Sequence, residues 1–144
     1  MIEKNKSKFY YAFINALNKK NNKLYSIKLL EKVLYIIWKK EKKAPFNIFF
    51  IAIKQLTPVL NLKKTKYRRK TIKIPTIQLY NFYRLGIINL LNNVNLINKN
   101  KTTSFEIALS KVILDTYHKK SQAYLNKVNL YNDVIQNKLN SKFT

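Results

Sequence analysis

Residues 58–75 read PVLNLKKTKYRRKTIKIP, from Pro58 to Pro75. Leu60 and Leu62 alternate with Asn61 and Lys63, and Ile72 and Ile74 alternate with Thr71 and Lys73. Side chains that alternate at period two belong to a strand with one face against apolar neighbours. Two such runs between two prolines predict a β-hairpin arm over 59–75. Its tip, Tyr67-Arg68-Arg69-Lys70, holds no glycine, so a tight turn with positive φ is disfavoured and a longer loop is expected.

On both sides of this arm the apolar period is helical. Phe9, Ala12, Phe13, Ala16 and Leu17 mark a first helix after a basic tail over 1–8, and the polar run 18–23 ends it. Ile27, Leu30, Val33, Leu34 and Ile37 form one stripe of a second helix over 24–40. Pro45 suits the first turn of a third helix, which Thr57-Pro58 closes. Helical patterning resumes from Tyr80 to Ile97. Thr103-x-x-Glu106 fits a capping box, and Phe105, Ala108, Leu109, Val112, Ile113 and Thr116 follow at helical spacing. Val128, Tyr131, Val134, Ile135 and Leu139 mark a last helix and short tail over 127–144. The expected fold is mainly α: one domain over 1–144, a bundle of about six helices with a basic hairpin protruding between the third and fourth. Trp38, Phe49 and Phe50 are read as core.

Charge narrows the function. The chain has 144 residues and a formal net charge of +23. With 47% hydrophobic residues it is too apolar for a disordered polycation, so the charge is worn on a folded surface. Such an excess calls for a polyanion, and nucleic acid is the commonest. The charge is also uneven. Lys63, Lys64, Lys66, Arg68, Arg69, Lys70 and Lys73 put seven cations in eleven positions with no acid among them, whereas 74–98 carry only Arg84. A solvated strand edge needs only a charge or two to resist aggregation, so the cluster points to phosphate contacts.

Catalysis finds little support. The six acids, Glu3, Glu31, Glu41, Glu106, Asp115 and Asp133, form no pair spaced for one helix face. His118 is the only histidine and Gly86 the only glycine, and there is no cysteine. No phosphate-cradling loop, metal site, disulfide or cofactor is therefore expected, and no enzymatic activity. No run reaches the length of a membrane span, and residues 1–8 lack a secretory or transit pattern, so a chain made where it works or shown in mature form is expected. Lys, Asn, Ile, Tyr and Phe are abundant, which points to an AT-rich genome such as an organelle's.

The order of elements and several short motifs resemble the small-ribosomal-subunit protein seven family. Phe13-Ile14-Asn15-Ala16-Leu17 is similar to that family's FVNxL pattern, and Ala52-Ile53-Lys54-Gln55-Leu56-Thr57-Pro58 to its ALxNVxP segment. Lys63 and Thr71-x-x-Ile74-Pro75 match its KSRR…TYQVP strand pair. Ser104-Phe105 resembles its Ser-Met helix start, Asp115 its ELxDA position, and Lys127 and Asn137 its KKRE…EAN signature. The likeness covers roughly 9–140. The arginine pair departs from it, since Arg68-Arg69 stands where the family has glycines, and the family's His-Tyr-Arg-Trp ending is absent.

The resemblance implies binding to the 3′ major domain of small-subunit ribosomal RNA, a role in starting assembly of the subunit head, and a place beside the exit-site transfer RNA and the messenger's exit path. It implies contact with platform protein eleven and other head proteins. Carried onto this chain it makes Lys63, Lys66, Arg68, Arg69 and Lys70 hairpin contacts, Lys19, Lys20 and Lys23 loop contacts, and Lys119, Lys120 and Lys127 contacts from the last two helices. Lys64 and Lys73 join by their place in the cluster, and Arg84 as the lone cation of its segment. Divergence and AT bias point to a mitochondrial ribosome, with a plastid as alternative. Three other readings compete: a helical RNA- or DNA-binding protein outside the ribosome, an amphipathic membrane-surface protein, and a nuclease using Asp115 or Asp133.

Overall fold

A computed structural model describes residues 2–18, 22–77, 82–100 and 102–143. The order of elements is α1 (Ile2–Leu17), α2 (Lys23–Glu41), α3 (Pro45–Leu56), β1 (Leu60–Tyr67), β2 (Lys70–Ile77), α4 (Phe82–Ile97), α5 (Phe105–Tyr117) and α6 (Gln122–Gln136), followed by a 3-10 turn over Lys138–Phe143. The fold is the expected one: six helices, with a two-stranded antiparallel hairpin between the third and fourth.

Local chemistry explains the helix ends. Asn22 caps α2, its side-chain oxygen accepting the Tyr25 N–H at 3.2 Å. At the other end Lys42 turns left-handed (φ 52°) and donates its N–H to Trp38 O at 2.8 Å, while Lys39 and Lys40 complement the helix dipole. Pro45 opens α3, where its missing N–H costs nothing. Ser121 caps α6 by accepting the Tyr124 N–H at 3.2 Å. The same hydroxyl accepts from Thr116 Oγ1 at 2.9 Å, so one buried bond ties the end of α5 to the start of α6.

The core is built around α3, which packs on α2, α4, α5 and α6. Its Phe49 meets Phe9 and Phe13 of α1, with ring centroids 5.1 and 4.7 Å apart. Gly86 lets α4 cross closely over the end of α3. A Cβ there would lie 2.6 Å from Thr57 Oγ1 and 3.0 Å from Ile53 O. Thr57 cannot easily move aside, because its buried hydroxyl donates to Ile53 O at 2.8 Å.

Several expectations are corrected. Residues 2–8 are the opening turns of α1, not a tail. On α1 the buried face includes Ile14 while Ala12 and Ala16 are exposed; the larger side chains took the core. The capping box does not form. Ser104, not Thr103, is the N-cap of α5, which places Glu106 one position too early, and Ser104 makes no side-chain cap bond. Thr103 Oγ1 instead donates to Asn98 Oδ1 at 3.4 Å. Phe49 is core and Phe50 packs against it, but Trp38 lies half exposed on the outside of α2. The last helix begins at Gln122, before Lys127. Its inward row is Ala123, Lys127, Leu130 and Val134, and the expected Val128, Ile135 and Leu139 face solvent.

Candidate nucleic-acid interface

The hairpin pairs Leu60 with Ile77 at its root and Tyr67 with Lys70 at its tip. It runs past Pro75, which sits inside β2 opposite Leu62. A two-stranded ribbon tolerates this because both strands are edges, and the Leu62 N–H donates to Asn61 Oδ1 at 2.8 Å. The expected longer loop is absent. Arg68 and Arg69 alone make the turn, with φ of 44° and 66°. Positive φ at both central residues matches the strand twist. For residues with a Cβ it costs about 1–2 kcal/mol each.

Register sorts the cations by face. Residues directly opposite in an antiparallel pair share a face, so Lys64 and Lys73 are neighbours, with Lys66 beyond them toward the tip. Lys63 and Lys70 occupy the other face. All seven predicted hairpin cations are exposed and are brought together on one arm. Among the described residues the one close contact between a basic and an acidic side chain is His118–Glu41, at 3.0 Å, so no carboxylate pairs with the arm. Arg68 lies over the Tyr67 ring, 5.4 Å from its centroid.

The root is apolar and clamped. Ile74 is buried, β1 packs on α6, and β2 packs on the 3-10 turn. Where the chain leaves α3 for β1, two residues of α6 four apart satisfy the backbone. Lys127 Nζ donates to Gln55 O at 2.7 Å, and Tyr131 Oη accepts the Val59 N–H at 3.1 Å. The Lys127 ammonium also lies 5.4 Å from the Tyr131 ring centroid. From the 3-10 turn, Asn140 Nδ2 donates to Lys73 O at 3.1 Å. Sequence reasoning missed Tyr131 and Asn140 as anchors, since nothing in their spacing shows which strand they meet.

The remaining predicted residues lie elsewhere. Lys19 and Lys20 fall outside the described residues. Lys23 begins α2, exposed, its Nζ 5.5 Å from the Tyr11 ring centroid. Arg84 is exposed in the first turn of α4, and Lys119 and Lys120 are exposed in the α5–α6 connection, Lys119 with φ 61°. Lys127 is half-buried and already engaged by α3. The His118–Glu41 contact brings the α5–α6 connection, with its two lysines, beside the lysine-rich end of α2. One titratable group among the described residues is clearly displaced: burial, then the Glu31 carboxylate and Tyr11, raise the Tyr10 phenol above its ordinary value. No group of three His, Asp or Glu among the described residues is placed to hold a metal, and no described helix is long and apolar enough to cross a membrane.

A helical bundle that carries a clamped, uncompensated cationic arm is a nucleic-acid-binding protein in design. The model of the family described as ribosomal protein S7p/S5e matches residues 2–133, and the chain belongs to that family. The protein is accordingly a ribosomal protein of the small subunit, a structural component of the translation machinery from a family that is not one of enzymes. No curated protein matched the chain.

Proposed function

We propose that the protein, acting as one domain over 1–144, binds the 3′ major domain of small-subunit ribosomal RNA through the hairpin and starts assembly of the subunit head. In this reading the tip borders the exit-site transfer RNA and the messenger's exit path. Lys23, Arg84, Lys119 and Lys120 supply further phosphate contacts, and platform protein eleven and head proteins are neighbours. The AT-rich composition supports a mitochondrial ribosome.

The observation that carries the RNA contact is the opposed pair Lys64 and Lys73 beneath a left-handed Arg68-Arg69 turn. Like charges directly across a ladder destabilise the free hairpin, and so does the strained turn. Phosphates convert both costs into binding, because each neutralised phosphate releases counterions. The test is binding of the full chain to a 3′ major domain RNA fragment. With about six to ten phosphate contacts, affinity falls on the order of 10³–10⁵ between 50 and 200 mM salt. Full binding by the Lys66→Ala, Arg68→Ala, Arg69→Ala, Lys70→Ala variant would sink the hairpin reading.

A further inference from the structure

The outer face of α2 has a chemistry that the core does not explain. Tyr35 is 60% exposed and Trp38 51% exposed, and their ring centroids are 6.0 Å apart with planes inclined by only 34°. Burial of α2 runs through Ser26, Leu29, Leu30, Val33 and Ile37, so both rings stand on the side away from the bundle. Beside Tyr35 a shallow groove of about 680 Å³ runs between α2 and the start of α5. Lys28 and Lys32 lie along it, with Glu31 and Glu106 in its wall and Ile36 and Ile107 as apolar lining. Lys39 and Lys42 follow Trp38 in sequence and are exposed.

We infer that this face is a second RNA contact, which stacks unpaired, amine-bearing nucleobases on Tyr35 and Trp38 while Lys28, Lys32, Lys39 and Lys42 take the flanking phosphates. Two exposed aromatic rings side by side, tilted by 34°, offer faces on which any base can stack. The surrounding lysines decide the class of partner: protein interfaces are depleted in lysine at their centre, whereas a single strand of RNA supplies an anion at every nucleotide. The carboxylates decide the base. Glu31 and Glu106 repel phosphate from the groove but accept hydrogen bonds from an exocyclic amine such as cytosine N4. Among the described residues neither carboxylate is in an ion pair, so both are available as acceptors.

The site shares with the hairpin reading only the premise that the partner is RNA. It is carried by a helix that packs on α1, α3 and α5, while the hairpin packs on α6 and the 3-10 turn. Trp38 is the sole tryptophan of the chain, so its fluorescence reports this face alone. The full chain is titrated at low salt with six-nucleotide oligocytidylate and oligouridylate. Cytidylate is expected to quench Trp38 and to bind more tightly than uridylate. Tyr35→Ala, at an exposed position, is expected to weaken binding about 5- to 100-fold. The hairpin variant with four alanines is expected to quench as the parent does, which separates failure here from failure of the hairpin reading. Absence of quenching, equal affinity for the two oligonucleotides, or an unchanged Tyr35→Ala variant each overturns the inference. So does shielding of Trp38 from acrylamide in the assembled subunit that survives RNase digestion, which gives the face to a protein.

Discussion

Lys64 and Lys73 face each other directly across the hairpin ladder, with no carboxylate in reach among the described residues to separate their charges. Stability and binding therefore pull in opposite directions at this pair. Lys64→Glu turns a repulsive cross-strand pair into an attractive one and is expected to stabilise the free protein by roughly 0.2–1 kcal/mol. It also puts an anion where RNA phosphate is expected. Thermal unfolding should shift up by a degree or more while RNA affinity drops and its salt dependence becomes shallower by about one unit of log–log slope or more. A drop in both stability and affinity would argue that the pair is held apart by something other than solvent.

The turn offers the same opposition through the backbone. Arg68→Asn with Arg69→Gly replaces two strained left-handed residues by the pair that this turn prefers. The glycine removes one residue's share of the strain, so a gain of about 1–2 kcal/mol is expected in denaturant unfolding. RNA binding should weaken, because two cations leave the tip. Equal stability would mean that the strain is relieved elsewhere.

Lys127 is expected to act on stability before it acts on RNA. Its ammonium satisfies Gln55 O at the end of α3, and Lys127→Met leaves that carbonyl without the donor. The expected cost is about 1–3 kcal/mol, read as a lower urea midpoint. The slope of RNA affinity against salt should stay near the parent value, whereas any hairpin lysine changed to alanine makes it shallower.

At Gly86 the expected loss is steric. Gly86→Ala brings a methyl group against Thr57 Oγ1 and Ile53 O, and overpacking of this kind costs about 1–3 kcal/mol. The better helix propensity of alanine returns up to about 1 kcal/mol. A net fall of a few degrees in Tm is expected. Adding Thr57→Ala should cost less in the Gly86→Ala background than alone, because the shorter side chain makes room for the methyl.

How far the sequence could be read follows from what each signal encodes. Alternation at Leu60–Lys63 and Thr71–Ile74 encodes local geometry, and both strands are where it placed them. The α5 row from Ala108 to Thr116 was legible because one wide apolar face meets a core on that side. On α6 the pattern misled. Its apolar residues lie on two sides, and the side that faces inward includes Lys127, whose stem is half-buried and whose charge meets a carbonyl. Periodicity cannot choose between two faces; the neighbouring helices do. Trp38 failed for a related reason, since aromatic size was taken for burial. The Arg68-Arg69 turn was misread because composition speaks for the cheapest backbone, and this backbone is held by the eight ladder pairs that join its two flanking strands. The hairpin cations themselves were plain, because charge density needs no register.

Mechanically, the arm is a cantilever. It is gripped at the root through Val59 and Tyr131, and again part-way along, where Asn140 holds the Lys73 carbonyl. Lys73 is the fifth of eight rungs counted from the root, so only three rungs and the turn overhang the second grip, about 10 Å of ribbon. Bending stiffness rises steeply as a beam is shortened, and the tip cations are thus delivered to a partner from a nearly fixed height. The second grip comes from a segment beyond residue 133, where the family match ends, so in this chain the reach of the arm is set partly by residues outside the matched span.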